Sequence, residues 1–129
     1  MEDAMKYLMI VGFVVLAGVA QAACPPINGR YIMAFTERHG ATTFCRARIV
    51  AKQLRARCER PFDSLTTQIN GPVAQDGRCE ISGDFDWVQG NRVVPLNLTR
   101  GFRARKAITG LGDIHDQPGN TVVFRFDRR

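Results

Sequence analysis

Serine and histidine are nearly missing from this 129-residue chain. Ser64 and Ser82 are the only serines, His39 and His115 the only histidines, and neither serine lies in a Gly-x-Ser-x-Gly turn. A hydroxyl nucleophile with a histidine base therefore has almost nothing to be assembled from. The cysteines form no C-x-x-C pair: Cys24, Cys45, Cys58 and Cys79 are separated by 21, 13 and 21 residues, which argues against a structural zinc site. Gly110-Leu111-Gly112 has no helical pattern behind it, so a dinucleotide fingerprint is missing as well. Phe44 and Phe102 are the only aromatics beside arginine-rich stretches, too few for the stacking platforms that bind single-stranded nucleic acid. These absences lead us to expect a non-enzymatic domain with no cofactor, no metal and no specific nucleic-acid partner. Asp113-Ile114-His115-Asp116 is the one segment that supports an enzyme or a divalent metal site, and a polar loop accounts for it more simply.

The stretch from Tyr7 to Ala23 is apolar apart from Gln21, and Ala20-Gln21-Ala22 closes it in the pattern that signal peptidase accepts. Residues 1–22 are therefore expected to be a signal peptide cleaved after Ala22, and the protein to be periplasmic or secreted. Starting at Met5 instead of Met1 removes Glu2 and Asp3 and leaves Lys6 as the positive charge that such a leader carries. An uncleaved membrane anchor is the rival, because about 17 apolar residues is the lower limit for spanning a bilayer. Lipid attachment at Cys24 is disfavoured by Gln21, which stands where an aliphatic residue is wanted.

Residues 23–129 read as a single domain of 107 residues, which buries about 65% of its unfolded surface. All four cysteines fall in it, and an even count in an exported chain of this size implies two disulfides. Three pairings are open; Cys45 with Cys58 would close a short loop and constrain the unfolded chain by about 3 kcal/mol. Taking Lys6 from the 18 basic residues, and Glu2 and Asp3 from the 12 acidic ones, leaves the domain at +7. Only Lys52 and Lys106 of that charge are lysine, so the cationic surface is almost entirely guanidinium.

Alternation is the main structural signal. From Cys79 to Trp87 every odd position is apolar or glycine and every even one polar, the period of a strand with one buried face. Tyr31, Met33 and Phe35 alternate likewise, as do Val94, Leu96 and Leu98, and Val122, Phe124 and Phe126. Turn signals fall between these runs, among them His39-Gly40, Asn70-Gly71-Pro72, Asp76-Gly77, Gln89-Gly90-Asn91 and Gly110-Leu111-Gly112. The expected fold is all-β, a small antiparallel meander closed into a barrel or folded into a sandwich behind an N-terminal signal helix. Residues 43–59 also fit a helix, with Ala47, Val50, Ala51, Leu54 and Cys58 on one face, so α+β is the alternative. The clean alternation from Phe44 through Ala51 favours strands. Pro95, which has no amide donor, points to an edge or a bulge. The glycines that end Ile27-Asn28-Gly29, Ile69-Asn70-Gly71, Ile81-Ser82-Gly83 and Ile108-Thr109-Gly110 mark turns or bulges where the sheet bends.

Gly29-Arg30-Tyr31 at the opening of the first strand, with an arginine on the last, resembles the calycin barrels: lipocalins, avidins and bacterial protease inhibitors. Those usually begin with Gly-x-Trp, and Tyr31 stands in place of the tryptophan. The likeness covers the two ends of the domain and transfers no binding residue.

Arginine placement is the remaining clue. Arg46 and Arg48, Arg55 and Arg57, and Arg103 and Arg105 occupy alternate positions, so on strands each pair points away from the core. Guanidinium pairs on one outer wall bind phosphate or sulfate through bidentate hydrogen bonds. The expected partner is an anionic polymer or lipid headgroup, with membrane contact only through the signal segment. An envelope protein, held by a loop or a strand edge as an inhibitor or accessory subunit would be, is the alternative. Asp84 and Asp86 share one strand face and are expected to pair across strands with arginines.

Overall fold

The alternating runs become eight strands: β1 Gly29–Glu37, β2 Thr42–Val50, β3 Gln53–Glu59, β4 Thr66–Gln75, β5 Ile81–Gln89, β6 Arg92–Ala104, β7 Ala107–Ile114 and β8 Thr121–Arg128. They come from a computed structural model that describes residues 24–38, 40–59, 65–114 and 119–129. The expected signal peptide with its cleavage site, as well as His39, His115 and Asp116, lies outside the described residues. Each strand pairs antiparallel with the next, and β1 pairs with β8, so the sheet closes into a barrel rather than a sandwich.

The barrel interior is filled. Tyr31, Met33, Phe35, Leu54, Ile69 and Phe124 are each below 2% exposed. Phe35 meets Trp87 edge-on with ring centroids 4.9 Å apart, and the Trp87 indole N–H donates to Thr67 Oγ1 at 2.9 Å, so its buried donor is satisfied. In a barrel of this strand number the interior is just wide enough for side chains to fill it or for one small ligand, and here the buried apolar side chains line it.

Residues 43–59 form a hairpin, not a helix. β2 and β3 join through the two-residue turn Ala51-Lys52, with Ala51 at φ 51° and Lys52 at φ 61°. Two residues in the left-handed region give the turn whose twist matches the strands, and the closed ladder holds Ala and Lys there although neither favours it. Two expected turns are strand interiors instead. Asn70-Gly71-Pro72 lies within β4 and Gly110-Leu111-Gly112 within β7. Glycine serves close approach there: a Cβ on Gly71 would sit 2.1 Å from the Asp84 carbonyl oxygen, and one on Gly112 1.8 Å from that of Asn97. Pro95 lies inside β6 opposite Asp86, one residue before the described pairing with β7 begins at Leu96.

A bulge divides β6. Leu98 faces Gly112 across β7, while Arg100 faces Leu111, so Thr99 is the extra residue. Thr99 and Arg100 both point outward, and the alternation resumes one position later with Gly101 buried.

The segment from Cys24 to Asn28 seals one barrel end. Cys24 is bonded to Cys79 in the β4–β5 loop, and Ile27 is buried against the core. Pro25 and Pro26 have no amide to satisfy, and the carbonyls of Pro25, Pro26, Ile27 and Asn28 each accept from a different strand. Gln75 Nε2 donates to Pro25 O at 3.3 Å, Arg103 Nη1 to Pro26 O, Tyr31 Oη to Ile27 O at 2.7 Å and Arg128 Nη2 to Asn28 O at 3.0 Å. Arg128, on the last strand, also lies against Gly29 of the first.

Candidate functional site

The β2–β3 hairpin positions the principal charges. Cys45, Ala47 and Ile49 point into the barrel, so Arg46 and Arg48 point out; Leu54, Ala56 and Cys58 do the same for Arg55 and Arg57. The two-residue turn fixes the register and sets Arg46 opposite Arg57 and Arg48 opposite Arg55. On the other side Arg48 faces Arg30 of β1. Five exposed guanidiniums thus share one wall, at the sheet spacings of about 4.8 Å across strands and 7 Å along them. Inside, the Cys45–Cys58 disulfide joins the same two strands, with Cα atoms 4.0 Å apart.

Among the described residues no carboxylate stands directly opposite one of these arginines in the ladder. Among the described residues none forms an ion pair with Arg30, Arg46, Arg48, Arg55 or Arg57. Two described pairs lie elsewhere: Arg100 with Glu80 at 3.1 Å and Arg125 with Asp127 at 3.0 Å. The Asp127 hydrogen bond, with its charge, raises the Arg125 pKa above the ordinary value. Asp84 and Asp86 do not make the expected pairings with arginine. Their cross-strand neighbours are Asn97 for Asp84, and Pro95 and Asn70 for Asp86, which leaves Asp86 two strands from Arg55. A shallow groove of about 260 Å³ runs between Arg46, Arg55 and Arg57 and ends on the amides Gln68 and Asn70. A neighbouring one of about 420 Å³ is lined by Arg48, Val50, Gln53 and Arg55. Like charges directly opposite on a sheet destabilise it, and guanidinium forks offer donors matched to phosphate or sulfate oxygens. The wall thus gathers five outward guanidiniums with no described acidic partner directly opposite them.

Arg103 and Arg105 do not belong to this face, nor do they form a strand pair. The β6 bulge shifts the phase, which places Phe102 outside at 47% exposure and Arg103 opposite the buried Ile108, where it reaches Pro26 O. Arg105 lies in the β6–β7 turn at φ 57° and accepts, through its carbonyl, from Arg103 Nε at 3.3 Å. Arg30 is the residue that sequence reasoning missed. It is a single arginine on its strand, and only the β1–β2 register brings it to Arg48.

Other surfaces offer less chemistry. A groove of about 320 Å³ at the β6 bulge, lined by Pro72, Ser82, Asp84, Asn97 and Thr99, holds a single carboxylate. Among the described residues no three His, Cys, Asp or Glu side chains gather as a metal site. Every strand is paired on both sides, so the strand edge expected as a protein-binding route is closed. No protein-family model, curated protein or solved structure matches the chain.

Proposed function

We propose that this domain is an exported, non-enzymatic binding module that captures phosphate- or sulfate-bearing anions on the wall formed by β1, β2 and β3. Arg30, Arg46, Arg48, Arg55 and Arg57 are its binding residues. One observation carries the reading: guanidiniums stand directly opposite one another in the ladder with no described carboxylate between them. An arrangement that costs the free protein stability is offset when a polyanion bridges the charges. The apolar character of the barrel interior supports this reading, since charged oxygens find their complement only on the outer surface. Two disulfides are consistent with an oxidising compartment outside the cytoplasm.

Chromatography on heparin tests this. The protein should be retained at low salt and elute with a steep dependence on ionic strength, about one counterion released per guanidinium engaged. Arg46→Ser with Arg57→Ser should elute at clearly lower salt, whereas Arg103→Ser should not. Passage of the parent protein unretained at low salt would remove the proposal.

A further inference from the structure

The arginines do not stand alone on their wall. The outward positions of β2 read Thr42, Phe44, Arg46, Arg48, Val50, and Ile32 of β1 lies directly opposite Arg46. Phe44 is 57% exposed, Val50 54% and Ile32 36%, so two apolar side chains bracket the charges along a strand path of about 20 Å and a third stands beside them. Among the described outward positions of these three strands Glu59, beside Phe44 at the rim, is the single acidic one. A soluble polyanion would use the guanidiniums and leave the apolar groups in water. A membrane surface offers both chemistries at once, phosphates in a plane and hydrocarbon a few ångströms below it.

We infer that the natural ligand of this wall is the surface of an anionic lipid bilayer, with Arg46, Arg48, Arg55 and Arg57 on the headgroup phosphates and Phe44 and Val50 dipping into the interface. This rests on the anion-binding reading above and specifies its source. Arg46 stands opposite Ile32 in the register, and a long arginine side chain can place its head on phosphate while its stem stays in the less polar layer. Membrane contact is thereby extended from the leader to the folded domain.

Vesicle partitioning separates the two levels. The purified protein should bind vesicles of phosphatidylcholine mixed with phosphatidylglycerol at low salt and bind phosphatidylcholine vesicles far less. Phe44→Ser with Val50→Ser should lower partitioning by about tenfold and leave the heparin elution salt unchanged. Both chains share one N-terminus, so the difference reads the wall and not the leader. In Phe44→Trp the new indole should shift to the blue on binding and be quenched by brominated lipid, while Trp87, 7% exposed, keeps its emission. Retention on heparin without binding to anionic vesicles would overturn the lipid assignment and leave the anion-binding proposal standing. So would vesicle binding in which the indole is neither shifted nor quenched. Failure on heparin and vesicles alike would end both.

Discussion

Arg57 on β3 stands directly opposite Arg46 on β2, in the register position next to the one where Cys58 faces Cys45. A covalent link on the inside of the barrel therefore holds two like charges together on the outside. Exposed pairs of this kind cost about 0.5 kcal/mol once solvent screening is allowed for. Arg57→Glu should turn that cost into a modest gain and raise the thermal midpoint by about 2–5 °C, while heparin releases the variant at lower salt. A midpoint that stays level or falls would show that the heads splay without strain.

The two disulfides differ in access. Cys45 and Cys58 are 3% and 0% exposed, whereas Cys24 and Cys79 are only half buried at the barrel end. Under native conditions a dithiol reductant should open Cys24–Cys79 first, and alkylation followed by mass spectrometry should find label on those two residues long before the other two. The 55-residue separation of that bond makes its loss worth up to about 4 kcal/mol on the loop-entropy model, visible as a lower urea midpoint. Equal labelling of all four cysteines contradicts this order.

Tyr31 anchors the sealing segment through a buried hydroxyl. Tyr31→Phe keeps the ring and its edge contact with Phe126 at 6.2 Å but leaves the Ile27 carbonyl without its donor. The expected cost is about 1–2 kcal/mol, measured by urea unfolding, together with faster proteolysis within residues 24–28. No change in either would mean that water replaces the hydroxyl at no cost.

The turn between β2 and β3 is strained by composition. Asn and Gly suit a turn with two left-handed residues, and Ala51 and Lys52 do not. Ala51→Asn with Lys52→Gly should add about 1 kcal/mol, the left-handed penalty less the entropy that glycine brings. Urea unfolding reads the gain directly, since the Val73 amide still finds the carbonyl at position 52. A lower midpoint would place the strain elsewhere.

Period-two alternation made the strands legible because every one of them has a packed inner face and a wet outer one. Tyr31, Phe85 and Phe124 could be assigned to the core from their spacing alone. Register was not legible, since it depends on which turns take two residues and where a strand carries one too many. Neither Ala51-Lys52 nor the bulge at Thr99 has a compositional mark. The first hid the pairing of Arg46 with Arg57 and of Arg48 with Arg55, and the second sent Arg103 to the barrel end and Phe102 to the surface. Gly71 and Gly112 misled for a related reason, because a residue chosen to let two backbones touch looks in sequence like one chosen to let the chain reverse.

Ring closure through β1 and β8 joins Tyr31 to Arg128, partners at nearly opposite ends of the folded domain. Contacts of such span form late, so a chain emerging from a ribosome or a translocation pore must wait for its final residues before the sheet can shut. Until then it offers two bare hydrogen-bonding rims to its neighbours. Clipping the C-terminal strand would make that interval permanent and convert a self-contained ring into a seed for aggregation.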